Sequence, residues 1–116
     1  MTHFALQSKN VIVDGEMKAA CVEVKNQLIH AIHPFGQILS CETLDYADNV
    51  IMPGLVDSHV HINEPGRTEW EGFNTATQAA AAGGITALVD MPLNCIPVTT
   101  TKAAFQEKLD SVHDKL

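Results

Sequence analysis

Apolar and polar positions change their rhythm near residue 53. Before it they come in short runs, around Phe4 to Leu6, Asn10 to Val13, Ala20 to Val24, Leu28 to Ile32 and Cys41 to Leu44, punctuated by Asp14-Gly15, Asn26, Pro34 and Gly36. Runs of this length closed by turn formers predict strands. Residues 1–52 therefore read as a small antiparallel unit, the N-terminal portion of a β-sandwich, with Val22, Val24, Ile29 and Ile32 available for its core. His30 and His33 are three apart, so on a strand they face opposite sides and read as structural or solvent-facing residues rather than a shared metal site.

Pro53-Gly54 marks a junction, and residues 53–116 follow a strand, loop, helix, strand, helix pattern. Residues 55–61 and 86–91 are apolar nearly throughout, which suits parallel strands buried on two faces. Between them, Phe73 to Ala82 is rich in alanine, and Gly83-Gly84 supplies the left-handed exit that such a helix needs. The intervening length suffices for a right-handed βαβ crossover. The threonines at 99–101 can cap a further helix, on which Phe105, Leu109, Val112 and Leu116 form a stripe that reads as a core face. The fold class is thus α/β: a small β-sandwich portion followed by the first β/α units of a TIM-type (β/α)8 barrel. A whole barrel takes roughly 250 residues and residues 54–116 supply about a quarter of that, so the chain reads as the N-terminal piece of a longer protein.

The candidate chemistry sits at the end of the first barrel strand, in Met52-Pro-Gly-Leu-Val-Asp-Ser-His-Val-His61. On a strand Asp57, His59 and His61 point one way, which sets the two imidazoles one strand repeat, ~7 Å, apart at their Cα atoms. From there both rings can converge on one metal ion, and neutral imidazole binds zinc without cancelling its charge. Asp57 has two readings, an acceptor for a metal-bound imidazole or a purely structural hydrogen-bonding group. Glu64 and Arg67 read as a pair fixing the Pro-Gly turn between them, and Trp70 and Phe73 as packing residues for the first helix. Cys95 lies near the expected site and reads as a small buried side chain rather than a ligand.

Composition narrows the choice of partner. With 14 acidic and 7 basic residues and no basic cluster, a nucleic acid or an anionic membrane is a poor fit, and a small neutral or polar molecule a better one. Cys21, Cys41 and Cys95 are odd in number and widely spaced, which implies neither a disulfide framework nor a structural zinc cluster. No secretory leader and no stretch long enough to span a bilayer is evident, so a soluble, intracellular protein is expected.

Five runs, PGLVDSHVH (53–61), EPGR (64–67), WEGF (70–73), AAAAGGIT (79–86) and MPLN (91–94), resemble in order and spacing the cyclic amidohydrolases, and among them most closely the allantoinases. The resemblance implies that His59 and His61 ligate one metal of a binuclear zinc site and that Asn94 or its neighbours help form the substrate pocket. It also implies that a bridging carboxylated lysine, two further histidines and the catalytic aspartate belong to later strands. Lys102, Lys108 and Lys115 fall on the last predicted helix and are no substitute for that lysine. The implied activity of the full-length protein, a homo-oligomer, is hydrolysis of allantoin to allantoate by metal-activated water, with the present chain inactive alone. Asn63 stands where dihydroorotases carry a substrate-binding arginine and cannot supply its bidentate charged hold, which disfavours dihydroorotate. Hydantoinases and dihydropyrimidinases usually lack the EPGR and MPLN runs. Those activities, a metal-free scaffold, and a short product with a binding role remain as alternatives.

Overall fold

A computed structural model describes residues 2–115. The chain forms two compact units, Met1–Pro53 and Gly54–Leu116.

The first unit is one five-stranded sheet built on a long central strand, β1 (His3–Val13), which pairs antiparallel with β2 (Glu16–Lys25), which in turn pairs antiparallel with β3 (Leu28–Pro34). The first turn is dictated by Asp14-Gly15, whose φ angles of 54° and 81° are both left-handed, as a two-residue hairpin turn requires. The second uses Asn26-Gln27 in the same conformation. The two expected strands at Phe4–Leu6 and Asn10–Val13 are one strand with an irregularity between Ser8 and Val11. The buried Ser8 hydroxyl lies there, against the carbonyls of Ala47 and Asn49 and accepting from Asn10 N–H, so the break in the ladder is filled by side-chain bonds.

The expected all-antiparallel arrangement is corrected. β4 (Glu42–Asp45) and β5 (Val50–Ile51) both lie parallel to β1 on its other edge. A hairpin cannot make that connection, so residues 35–41 cross back over the sheet, pinned where the Gly36 N–H donates to Gln7 Oε1. Ala5 and Cys21, on the face that Gln7 shares, are fully buried. The opposite face carries the apolar core of Val11, Ala20 and Val22, with Val13, Val24 and Ile51 against it.

In the second unit β6 (Leu55–Val60) and β7 (Ile85–Asp90) form a parallel pair joined through α1 (Phe73–Ala82). α1 occupies the predicted span, and its left-handed exit is Gly84, with φ 76°, while Gly83 keeps a negative φ. Burial on two faces is not what the strands show: Leu55, Val56 and Val89 are exposed, because among the described residues this sheet has two strands, β6 and β7. α2 (Lys102–Val112) begins at Thr101, whose hydroxyl accepts from the Ala104 N–H, as expected of a threonine cap. Its buried positions are Ala104 and Lys108; Phe105 and Leu109 are exposed and Val112 half-buried, lining a groove of about 220 Å³ with Phe73, Met91 and Pro92, and Leu116 lies outside the described residues.

Candidate metal centre

The end of β6 is held by its neighbour strand. Met91 N–H donates to the Val60 carbonyl at 2.8 Å, and one oxygen of Asp90 accepts from the Ile62 N–H at 2.9 Å. The register slips between Asp57 and Val60, and β6 ends at Val60, so strict alternation fails where the histidines begin. Asp57, Val60 and His61 consequently line one cavity of about 350 Å³ together with Ile62, Glu71 and apolar residues of α1 and β7, while His59 is exposed. The two rings nevertheless lie side by side, their centroids 5.2 Å apart and their planes tilted by 52°. Asp57 Oδ1 accepts the backbone N–H of His59 at 3.1 Å, so its observed bond is the structural one.

Among the described residues the His61 Nδ1 nitrogen is buried without a partner, and so is Asn63 Oδ1. A buried polar atom left unpaired costs about 1–3 kcal/mol, so each calls for a partner such as a water, a cation or a substrate group. The arrangement fits a metal: two imidazoles within reach of one point, one nitrogen orphaned. A catalytic zinc uses three protein ligands and an open position, and these two histidines make up part of such a set.

Beneath the site lies a clamp that periodicity gave no hint of. Lys108 of α2 forms an ion pair with Asp90 Oδ2, donates to the Ile62 carbonyl at 3.1 Å, and sits 5.5 Å above the Phe73 ring. The Lys108–Asp90 contact is an ion pair rather than a well-angled hydrogen bond. Glu64 does not pair with Arg67. It accepts from the Phe73 N–H at 2.9 Å and pairs with Lys115. Burial pushes the Glu64 carboxyl up, but the bonds from Lys115 and Phe73 outweigh it and hold its pKa below the usual range. The Glu64 carboxylate is engaged instead by the start of α1, through the Phe73 N–H, and by Lys115. Arg67 instead stacks on Trp70 at 4.7 Å and reaches the Asn94 carbonyl at 3.4 Å. Trp70 is accordingly an exposed stacking partner rather than a core residue, whereas Phe73 is buried as expected. Asn94 is exposed and left-handed, with φ 71°, and among the described residues it makes no hydrogen bond to either imidazole. Cys95 is buried, its sulfur 3.3 Å from the Thr99 hydroxyl.

The sequence profile of the Amidohydrolase family matches residues 50–113, the stretch that holds both histidines and the clamp. The chain belongs to the amidohydrolase family. It is 65% identical over 123 residues to the probable allantoinase 2 of Dictyostelium discoideum, covering 96% of this chain and 24% of that protein. It is 52% identical over 117 residues to the probable allantoinase of Oryza sativa subsp. japonica, covering 98% and 23%. Among solved structures, the L-hydantoinase (dihydropyrimidinase) from Arthrobacter aurescens superposes with a TM-score of 0.80 at 29% identity, covering 96% of this chain and 25% of that one. The chain thus spans about a quarter of the length of the amidohydrolases it matches. Its β6–α1–β7–α2 run forms the opening β/α units of a TIM-type barrel, preceded by the small β-rich unit. Family members are generally metal-dependent. No described helix is long and apolar enough to cross a membrane.

Proposed function

We propose that the full-length protein is a zinc-dependent allantoinase, which opens the hydantoin ring of allantoin to give allantoate, and that His59 and His61 hold one ion of a binuclear centre. The observation that carries this reading is the pair of adjacent imidazoles with an unpartnered His61 nitrogen, in a chain 65% identical to a probable allantoinase. A bound cation at this position supplies two things to an amide: it lowers the pKa of water from 15.7 toward ~7, and it polarises the carbonyl under attack. The chain's own residues do the positioning. Asp57 holds the His59 backbone, Asp90 and Lys108 together grip the N–H and C=O of Ile62 and so fix the turn that follows His61, and Asn94 offers a neutral amide to the substrate ring. An uncharged asparagine at 63, its side-chain oxygen buried and unpaired, suits an uncharged cyclic amide better than a carboxylate-bearing one. We further propose that the full-length protein is a homo-oligomer.

The test is turnover of the full-length protein on allantoin, hydantoin, dihydropyrimidine and dihydroorotate. The account expects kcat/KM for allantoin to exceed the others by at least about tenfold, a difference of ~1.4 kcal/mol. Preference for hydantoin or dihydroorotate would overturn the substrate assignment, and absence of hydrolysis of every cyclic amide would favour a scaffold.

A further inference from the structure

On the sheet face opposite the apolar core of the first unit, three segments bring together donors of three chemical kinds. Glu23 lies opposite Ala5 on β1 and Ala31 on β3, which sets His3 and His33 at diagonal positions on its two flanks. His3 Nε2 is 2.7 Å from Glu23 Oε1, and His33 Nε2 is 2.7 Å from Glu23 Oε2. Cys41, just ahead of β4, completes the group: its sulfur, the His3 nitrogen and a Glu23 oxygen all lie within 4.8 Å of one another. All three cysteines of the chain are free thiols.

We propose that His3, Glu23 and Cys41 form a second metal site, separate from the paired histidines of the barrel unit, that takes a thiophilic divalent ion of the zinc class. Nitrogen, carboxylate and thiolate donors together suit zinc or cobalt and disfavour magnesium or calcium. With bonds of ~2.0–2.3 Å, donors around a tetrahedral ion stand ~3.3–3.8 Å apart, so side-chain rotations of about an ångström close the observed group onto one ion. The side chains of His3, Glu23 and His33 retain 29%, 13% and 21% of their exposure, which leaves the ion a path from solvent.

Binding needs two proton movements. The Cys41 thiol proton leaves to solvent, and the His3 ring proton passes from Nε2 to Nδ1, freeing Nε2 for the metal. His33 keeps its bond to the other Glu23 oxygen and orients the carboxylate from outside the coordination sphere. The ion would tie together β1, β2 and the segment leading into β4, at residues 3, 23 and 41.

Titration of the chain with cobalt(II) tests this, because a thiolate–cobalt bond gives a charge-transfer band in the near ultraviolet that imidazole and carboxylate ligands do not. The band should appear and saturate at about one ion per chain, with equal intensity in a His59→Ala/His61→Ala variant. It should vanish in Cys41→Ser, and His33→Ala should weaken cobalt affinity by about ten- to a hundredfold. Far-ultraviolet circular dichroism checks that Cys41→Ser still folds. Should it not, Cys95→Ser and Cys21→Ala decide, since the band must survive in both. Absence of the band in the parent chain, its survival in folded Cys41→Ser, or its loss with the barrel histidines would each overturn the proposal.

Discussion

Replacing Lys108 by methionine isolates the clamp beneath the candidate metal centre. Methionine keeps the length and apolar stem of the side chain but removes its charge. The Lys108 and Asp90 side chains retain only 11% and 16% of their exposure, so solvent screens the remaining Asp90 carboxylate weakly. Breaking one half of a buried pair costs about 3–5 kcal/mol, because it leaves the other charge uncompensated. The Ile62 carbonyl loses its donor as well, a group worth about 1–3 kcal/mol when stranded, though the two losses share one side chain and do not add in full. A loss of this size removes most of the stability of a small unit, commonly ~5 kcal/mol at the low end. Trp70 is the sole tryptophan and lies in this unit, so its fluorescence during urea unfolding reports the transition. Lys108→Met should lower the urea midpoint drastically, and Lys108→Met/Asp90→Asn should recover part of the loss, because asparagine removes the uncompensated charge while keeping an oxygen to accept the Ile62 N–H. A Lys108→Met midpoint within the equivalent of ~0.5 kcal/mol of the parent would show that the pair contributes nothing and refute the clamp.

The same fluorescence separates two glycines. Gly66, at φ 88°, would place an added Cβ 2.5 Å from the Ile96 carbonyl oxygen, whereas Gly84, at φ 76°, has nothing within 4 Å. Gly84→Ala should cost about 1–2 kcal/mol from backbone strain alone and Gly66→Ala clearly more; equal effects would mean the close approach is relieved without cost. Thr101→Ala should remove about 1 kcal/mol by uncapping α2, and no change in midpoint would mean water serves the Ala104 N–H equally well. In the first unit, the Glu23 pKa falls from its ordinary 4.5 to about 2 on folding. A carboxyl depressed in the folded state stabilises it above the unfolded value and loses that contribution as pH falls from 4.5 through 2. Acid unfolding followed by Tyr46 emission should therefore steepen in that window, and Glu23→Gln should flatten it; an unchanged acid profile would remove Glu23 from the account.

What the sequence made legible follows from how local each signal is. The alanine run fixed α1 at Phe73–Ala82 to the residue, Asp14-Gly15 fixed the first hairpin, and Thr101 fixed the start of α2, because each depends on neighbours within a turn. The paired histidines were equally visible, as a motif two residues apart. The parallel placement of β4 and β5 was not, since nothing in a four-residue strand specifies which edge of the sheet it joins. Lys108 reaches a carbonyl 46 residues away and Lys115 a carboxylate 51 residues away, and such partners leave no periodic trace. Lys108 lies three residues after Phe105 and four before Val112, on the flank of the predicted stripe, and it is the lysine that is buried while Phe105 and Leu109 are exposed along an open groove. His3 carries no local signal, because its partner, Glu23, is brought to it only by strand register.

The central claim is that the adjacent imidazoles at the end of β6 hold an ion on which ring opening depends. Its most direct test is metal content by mass spectrometry, with allantoin turnover, for the full-length protein and its His59→Ala/His61→Ala variant. The account predicts that the variant loses at least about one ion per subunit and with it the hydrolysis of allantoin. Equal metal content in the two proteins, or undiminished turnover in the variant, would contradict it.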